Sequence, residues 1–237
     1  MRTSVQANAR AFNERFEGSL SFMYLDQEGY VTTGEGNLID PMTIAMGLPW
    51  QVDGRDATPA EISNAWSAVK ARTDLEKNGG GAYASVTNLR LTSEAITNLV
   101  LAKLGQDEDT LRKYFPQWDN FPADAQLGIL SMAWAMGPAF PQTFTSFTEA
   151  ANSGDWATAA AQSQMKPTPG IAPRNTANLL LFTNAATPGI DPAELYWPNV
   201  AAAAVVAAHP VVTWGAIAVL LAIGAWGTWR LHEGGIL

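Results

Sequence analysis

The sequence predicts an α+β fold, and three segments carry that prediction. Residues 5–16 repeat apolar side chains at helical spacing. Residues 20–37 drop that spacing for two short strand-like runs about a turn. Residues 122–135 return to helix and are apolar at most positions.

In the first helix Val5, Ala9, Phe12 and Phe16 share a face, and Gly18 is placed to cap its C-terminus. The run LSFMYLDQEGYVTTGEGN reads as a hairpin turning at Asp26-Gln27-Glu28-Gly29. Along its second strand, alternation puts Tyr30, Thr32, Gly34 and Gly36 on one face and Val31, Thr33, Glu35 and Asn37 on the other. If Thr32 faces a site, Glu35 points away from it and is set aside as a catalytic candidate. Gly34 and Gly36 fit a twisted strand that a ligand approaches closely.

Thr58 is expected as the N-cap of a helix with Pro59 in its first turn. Another helix should start at Thr92 or Ser93 and run to about Tyr114, with a break at Gly105. Residues 122–135 should form the central helix of a helical bundle, completed by 141–151, 155–163 and 173–183. Trp134, Phe140, Phe144 and Phe147 are read as core. Phe115, Trp118 and Phe121 are read as core or as flanking a cleft.

Composition removes several chemistries. The chain of 237 residues contains no cysteine, which excludes a disulfide scaffold, a thiolate metal site and a cysteine nucleophile. Its two histidines, His209 and His232, both lie near the C-terminus, so a Ser-His-Asp hydrolase or a multi-histidine metal site in the body of the protein is excluded. With 14 basic against 22 acidic residues the net charge is −8, and no basic stripe suited to nucleic acid appears. Catalysis is left to carboxylates.

Glu17 ends the first helix, where the negative end of the backbone dipole disfavours its charged form. Partial burial against Phe16 or Phe22 would act the same way. Asp26, in an open polar turn, should stay ionised. Two carboxyls divided in this sense are the acid and base that cleave a glycosidic bond.

The text around them, MYLDQEGYVTTGEGNLID, resembles the hairpin of the phage-type lysozymes, the muramidases of glycoside hydrolase family 24. Glu17-Gly18, Tyr24, Asp26, Gly29, Tyr30, Thr32, Gly34 and Gly36 are in register with that family's helix end and hairpin. Residues 127–140 and 170–182 resemble its central and last helices more weakly. The resemblance implies a lysozyme-like two-lobed fold, with a small antiparallel hairpin sheet, a helical lobe and a cleft. It implies hydrolysis of the β-1,4 bond between N-acetylmuramic acid and N-acetylglucosamine, with peptidoglycan glycan strands as the partner and no metal or organic cofactor. Glu17 would be the general acid. Asp26 would act on the attacking water or stabilise positive charge on the sugar, and Thr32 would hold that water. Tyr30, Gly34, Asn37 and Arg174 would bind substrate.

Three departures from the family stand out. Asn37 occupies the usual position of a histidine. The last helix carries Arg174 with Asn175 and Asn178 in place of two arginines. Residues 1–186 hold 13 basic and 19 acidic residues, where many family members are basic.

From Leu195 to Trp229 the chain has no charged side chain. Residues 187–209 read as a Pro/Gly/Ala-rich linker after a muramidase domain at 1–186. Residues 210–230 read as a membrane-type helix, and 231–237 as a short tail. A run of about 20 apolar residues at ~1.5 Å each matches the bilayer core, and Trp214, Trp226 and Trp229 suit its edges. Residues 1–16 do not read as a secretory signal peptide. The expected setting is a phage virion or the bacterial envelope at the periplasmic face of the inner membrane, with the terminal helix engaging that membrane and other virion proteins or a second copy as further partners. The alternative is a weakly active or inactive module that uses the same fold to bind peptidoglycan or to assemble.

Overall fold

Thr3–Glu17 form the first helix, α1, in which Val5, Ala9 and Phe12 are buried along one stripe. Gly18 ends it at φ +68°, its N–H bonding the Glu14 carbonyl at 3.0 Å. Glycine takes this left-handed conformation without a Cβ penalty. The computed structural model describes residues 1–168 and 170–199. The expected membrane-type helix at 210–230, the later part of the expected linker and the tail lie outside the described residues. Among the described residues no helix is long and apolar enough to cross a membrane.

The chain is α+β, mostly helical with a small antiparallel sheet, and divides into two units. Residues Asn8–Gln106 form one; Met1–Ala7 and the chain from Asp107 onward form the other.

In the first unit, strands β1 (Leu20–Leu25), β2 (Val31–Gly34) and β3 (Asn37–Leu38) pair antiparallel in that order. Leu20 pairs with Gly34 and Tyr24 with Thr32, so β1 carries extra residues between these points and bends. The turn at Asp26–Gly29 is where the sequence puts it. The third strand is not expected from the sequence: the chain reverses again over Gly34-Glu35-Gly36, so that Thr33 pairs with Asn37. Phe22, Met23, Leu25 and Val31 from the sheet pack with Trp50, Ile62, Val69, Tyr83, Leu91 and Ile96.

The short helix α2 (Met42–Met46) and the hairpin of β4 (Gln51–Val52) and β5 (Arg55–Asp56) lead into α3, Pro59–Lys70. Thr58 caps α3 as expected, within a capping box: its hydroxyl accepts from the Glu61 N–H and the Glu61 carboxylate accepts from the Thr58 N–H. Helix α4 (Ser93–Leu111) runs through Gly105 without the expected break. A single interior glycine costs only about 1 kcal/mol, and its neighbours here are good helix formers.

In the second unit α5 (Ala123–Met136) is buried on all sides from Ala123 to Ala133, as a central helix must be. Around it stand α6 (Thr145–Ser153), α7 (Trp156–Gln162) and α8 (Ile171–Ala185). Phe115, Trp118, Phe121, Phe140 and Phe147 are all buried and pack as rings: Phe121 meets Trp156 at 4.8 Å and Phe147 meets Phe182 at 5.0 Å.

The chain after α8 is not a free linker as far as Asn199. Buried Asp124, at the start of α5, accepts from the Tyr196 N–H (2.9 Å), the Trp197 N–H (3.2 Å) and Asn184 Nδ2 (2.9 Å). The Ala123 N–H bonds the Pro192 carbonyl at 2.9 Å. Proline density stops regular structure there without preventing a polar dock onto a helix start.

Candidate active site

The hairpin turn is closed by its own carboxylate. Asp26 Oδ1 accepts from the backbone N–H groups of Glu28 and Tyr30, both at 2.9 Å. The Asp26 N–H bonds the Tyr30 carbonyl at 3.0 Å, and the Gly29 N–H bonds the Asp26 carbonyl at 3.1 Å. Asp26 Oδ2 is left for Thr32, whose Oγ1 lies 3.3 Å from it and 3.3 Å from the Tyr30 carbonyl. A hydroxyl has one proton, so Thr32 serves one of these acceptors at a time. The pairing of Thr32 with Tyr24 across the ladder brings these side chains together.

A cation braces the turn from behind. Lys70 Nζ, at the end of α3, donates to the Gly29 carbonyl and to Asp40 Oδ2, both at 2.7 Å, and lies 5.5 Å from the centre of the Tyr30 ring. The Lys70 ammonium holds the Asp40 carboxyl below the usual carboxylate range. Tyr30 remains 47% exposed beside this cation, available to a ligand.

Glu17 is exposed at the end of α1. The burial against Phe16 or Phe22 expected from the sequence is not found. Phe16 turns its edge to Phe12 at 5.1 Å, and Phe22 belongs to the sheet core with the Arg90 guanidinium over its ring at 5.0 Å. Glu17 Oε2 instead lies near Gly36, 3.9 Å from where a β-carbon would stand.

Tyr24 lies within electrostatic reach of both carboxyls. Burial, and then the negative charges of Glu17 and Asp26, push its phenol up to about 12, against the pull of the Gly36 backbone N–H. Glu17 from the helix end and Asp26 from the turn thus act on one side chain. Tyr24 was within reach of sequence reasoning, since it lies two residues before Asp26 on the same strand face.

Asn37 and Glu35 need a different account from the alternating strand. Gly34 (φ +64°) and Gly36 (φ +84°) reverse the chain. Asn37 Oδ1 accepts from the Glu35 N–H at 3.3 Å and lies 2.8 Å from where a β-carbon on Gly34 would stand, so only glycine fits there. Asn37, buried, therefore holds the loop.

The reversal also carries Glu35 inward. It is 0% exposed, with Oε1 3.2 Å from Arg10 Nε and Oε2 without a hydrogen-bond partner among the described residues. Burial pushes Glu35 up to about 7, with Arg10 opposing and Glu14 and Glu17 adding to the rise. Strand alternation does not describe where Glu35 sits, because the strand ends at Gly34, and no local signal in the sequence marks its burial.

Raising a carboxyl from about 4.5 to about 7 on folding destabilises the charged form. Its contribution to stability is complete below pH 4.5 and is lost as pH rises through 7. The loss totals roughly 3 kcal/mol. Glu35→Gln should remove this dependence, so that urea unfolding at pH 5 and pH 8 shows the variant gaining on wild type at the higher pH. An equal difference at both values would contradict it.

Arg174 lies in the other unit, on α8, 2% exposed, its Nη1 donating to Ser131 Oγ at 3.3 Å. Glu17, Asp26, Thr32, Tyr30, Gly34 and Asn37 all belong to the sheet unit. Among the described residues no cluster of His, Asp and Glu has the geometry of a metal site. No protein-family model matches the chain, and no curated protein is significantly similar to it.

Proposed function

We propose that this protein is a muramidase, which hydrolyses the β-1,4 bond between N-acetylmuramic acid and N-acetylglucosamine in peptidoglycan. The reading extends to the fold: the sheet unit and the helical unit would be the lobes of a phage-type lysozyme. The observation that carries it is the hairpin turn beside the end of the Glu17 helix, in which Asp26 Oδ1 takes two backbone N–H groups and Oδ2 faces the Thr32 hydroxyl.

Glu17 would give its proton to the glycosidic oxygen as the bond breaks. Asp26, fixed by two backbone N–H groups, would polarise the attacking water or face the positive charge developing on the sugar. The Thr32 hydroxyl can turn from Asp26 to that water. The exposed Tyr30 ring, with Lys70 behind it, offers a face for a sugar. The uncharged stretch from 195 to 229 fits an enzyme of a phage particle that opens the wall during genome entry and engages the inner membrane.

Purified peptidoglycan incubated with the wild-type protein should release reducing sugar, and mass analysis should find muropeptides with free reducing ends. Tight retention on peptidoglycan with no release would replace this reading by that of a binding or assembly module. Anhydro products would mark a transglycosylase.

A further inference from the structure

The connector between α3 and α4 lies against the hairpin that carries Asp26 and Thr32. It contains two short 3-10 turns, Thr73–Asn78 and Gly80–Tyr83. The connector also closes on itself. The hydroxyl of buried Tyr83 donates to the Arg72 carbonyl at 2.8 Å, and the Ala82 N–H bonds the Gly79 carbonyl at 3.1 Å. Two points of it meet the hairpin. Glu76 Oε1 lies 3.4 Å from where a β-carbon on Gly29 would stand. Gly80 sets its backbone against β1: a β-carbon there would stand 2.7 Å from Leu20 Cδ1, 2.9 Å from Tyr24 Cδ2 and 3.1 Å from Tyr24 Cγ.

Three glycines occur in a row here, and only the middle one is required by a contact. Gly79 has φ +77°, and a β-carbon on Gly81 would meet open space. Gly80 is not at positive φ, so its backbone would admit any residue, and what bars a side chain is the closeness of Leu20 and Tyr24. Leu20 Cδ1 is the end of a flexible side chain and can turn away. Tyr24 Cγ is the atom where the ring joins its β-carbon, so that end moves only with a strained rotamer or with the strand. Tyr24 stands opposite Thr32 in the β1–β2 ladder, and residues directly opposite share a face.

We infer that Gly80 is a positioning residue: the side chain it lacks leaves the slot for the Tyr24 ring, and that ring sets the room beside Thr32 in which the Thr32 hydroxyl faces Asp26. The catalytic consequence rests on the muramidase reading; the contact does not. A β-carbon at position 80 displaces the base of the ring, and its cross-strand neighbour Thr32 must adjust. Thr32 has a second acceptor ready, the Tyr30 carbonyl, at the same 3.3 Å as Asp26 Oδ2. A hydroxyl turned fully to that carbonyl no longer serves Asp26 or the water between Asp26 and the sugar. A misplacement of about 1 Å at such a group can cost on the order of 10²-fold in rate. Glycan contacts elsewhere are untouched, so the loss falls on kcat.

The test compares Gly80→Ala with Gly81→Ala in the full chain. Gly80→Ala should lower kcat for reducing-sugar release by about 10- to 100-fold with KM within about twofold, while Gly81→Ala matches wild type. Equal effects of the two substitutions, or a loss confined to KM, overturn the inference. NMR of the same proteins separates positioning from general loosening. In Gly80→Ala the Tyr24 ring and Thr32 methyl signals should move while those of Trp50 and Val69, in the core of the same unit, stay in place. Shifts spread evenly over all four overturn it. Should Gly80→Ala fail to fold, Leu20→Ala with Gly80→Ala removes the closest clash and keeps the one with Tyr24. In wild type, a nuclear Overhauser contact between the Gly80 α-protons and the Tyr24 ring is expected, and its absence overturns the inference without any variant. Undiminished hydrolysis by Gly80→Ala overturns the positioning role and leaves the muramidase reading intact. A wild type that hydrolyses nothing overturns the muramidase reading and with it the catalytic role of Gly80, whatever the NMR signals do.

Discussion

Glu17→Gln is expected to abolish release of reducing sugar from peptidoglycan, by a factor of about 10² to 10⁴ or more, while leaving the fold and thermal midpoint nearly unchanged. A general acid must surrender a proton as the leaving oxygen departs, and an amide cannot do so at any accessible pH. The change is nearly isosteric, at an exposed position where α1 ends. It removes a negative charge from the negative end of the helix dipole, a neutral or slightly favourable change for folding. The variant also carries an internal check. Because the Glu17 charge helps to raise the Tyr24 phenol, alkaline titration followed by ultraviolet absorbance should place that phenol lower in Glu17→Gln than in wild type. Full hydrolysis by the variant would remove Glu17 from the mechanism. An unmoved phenol would remove the convergence of charges on Tyr24.

Gly128→Val should destabilise the helical unit by about 3 kcal/mol or more. Gly128 lies on the buried central helix α5, directly under the Phe182 ring of α8. A β-carbon at this position would stand 2.6 Å from Phe182 Cζ, 2.8 Å from Cε1 and 3.1 Å from Cε2. The ring has nowhere to go. Phe147 meets it edge-on at 5.0 Å, and Trp156 stacks on it at 6.5 Å with the planes 5° apart. Relief therefore requires the two helices to part, which opens voids along an interface packed at crystal-like density. Urea unfolding measures the loss. Adding Phe182→Leu to Gly128→Val should recover part of it, because neighbouring substitutions that share one contact do not add. An unchanged midpoint for Gly128→Val would mean that the α5–α8 contact is looser than described.

Several elements were legible because the forces that make them act within a few residues. The apolar stripe and terminal glycine of α1, the Thr58–Glu61 capping box and the mostly apolar α5 are local features, and each appears near its expected place. So does the turn at Asp26, where a short acidic side chain can bond its own backbone. The chain positions of Glu17, Asp26 and Thr32 could be read in the same way. Strands of two residues, such as β3, β4 and β5, and the five-residue α2 are too short for any periodicity to mark them.

Glu35 and Asn37 show where local reasoning stops. Alternation holds only while a strand continues, and two glycines at positive φ end it at Gly34. Once the chain reverses, Glu35 meets Arg10, 25 residues away, and Arg10 is tethered to Ser93 and Thr97 on a helix far along the chain. Asp124 likewise meets Tyr196 and Trp197 more than a helix bundle later. Periods, caps and turns are written into neighbouring residues, so the α+β class and the turn at Asp26 could be read directly. The burial of a carboxyl, and the charges that surround it, arise from contacts between distant segments, and those exist only once the chain has folded.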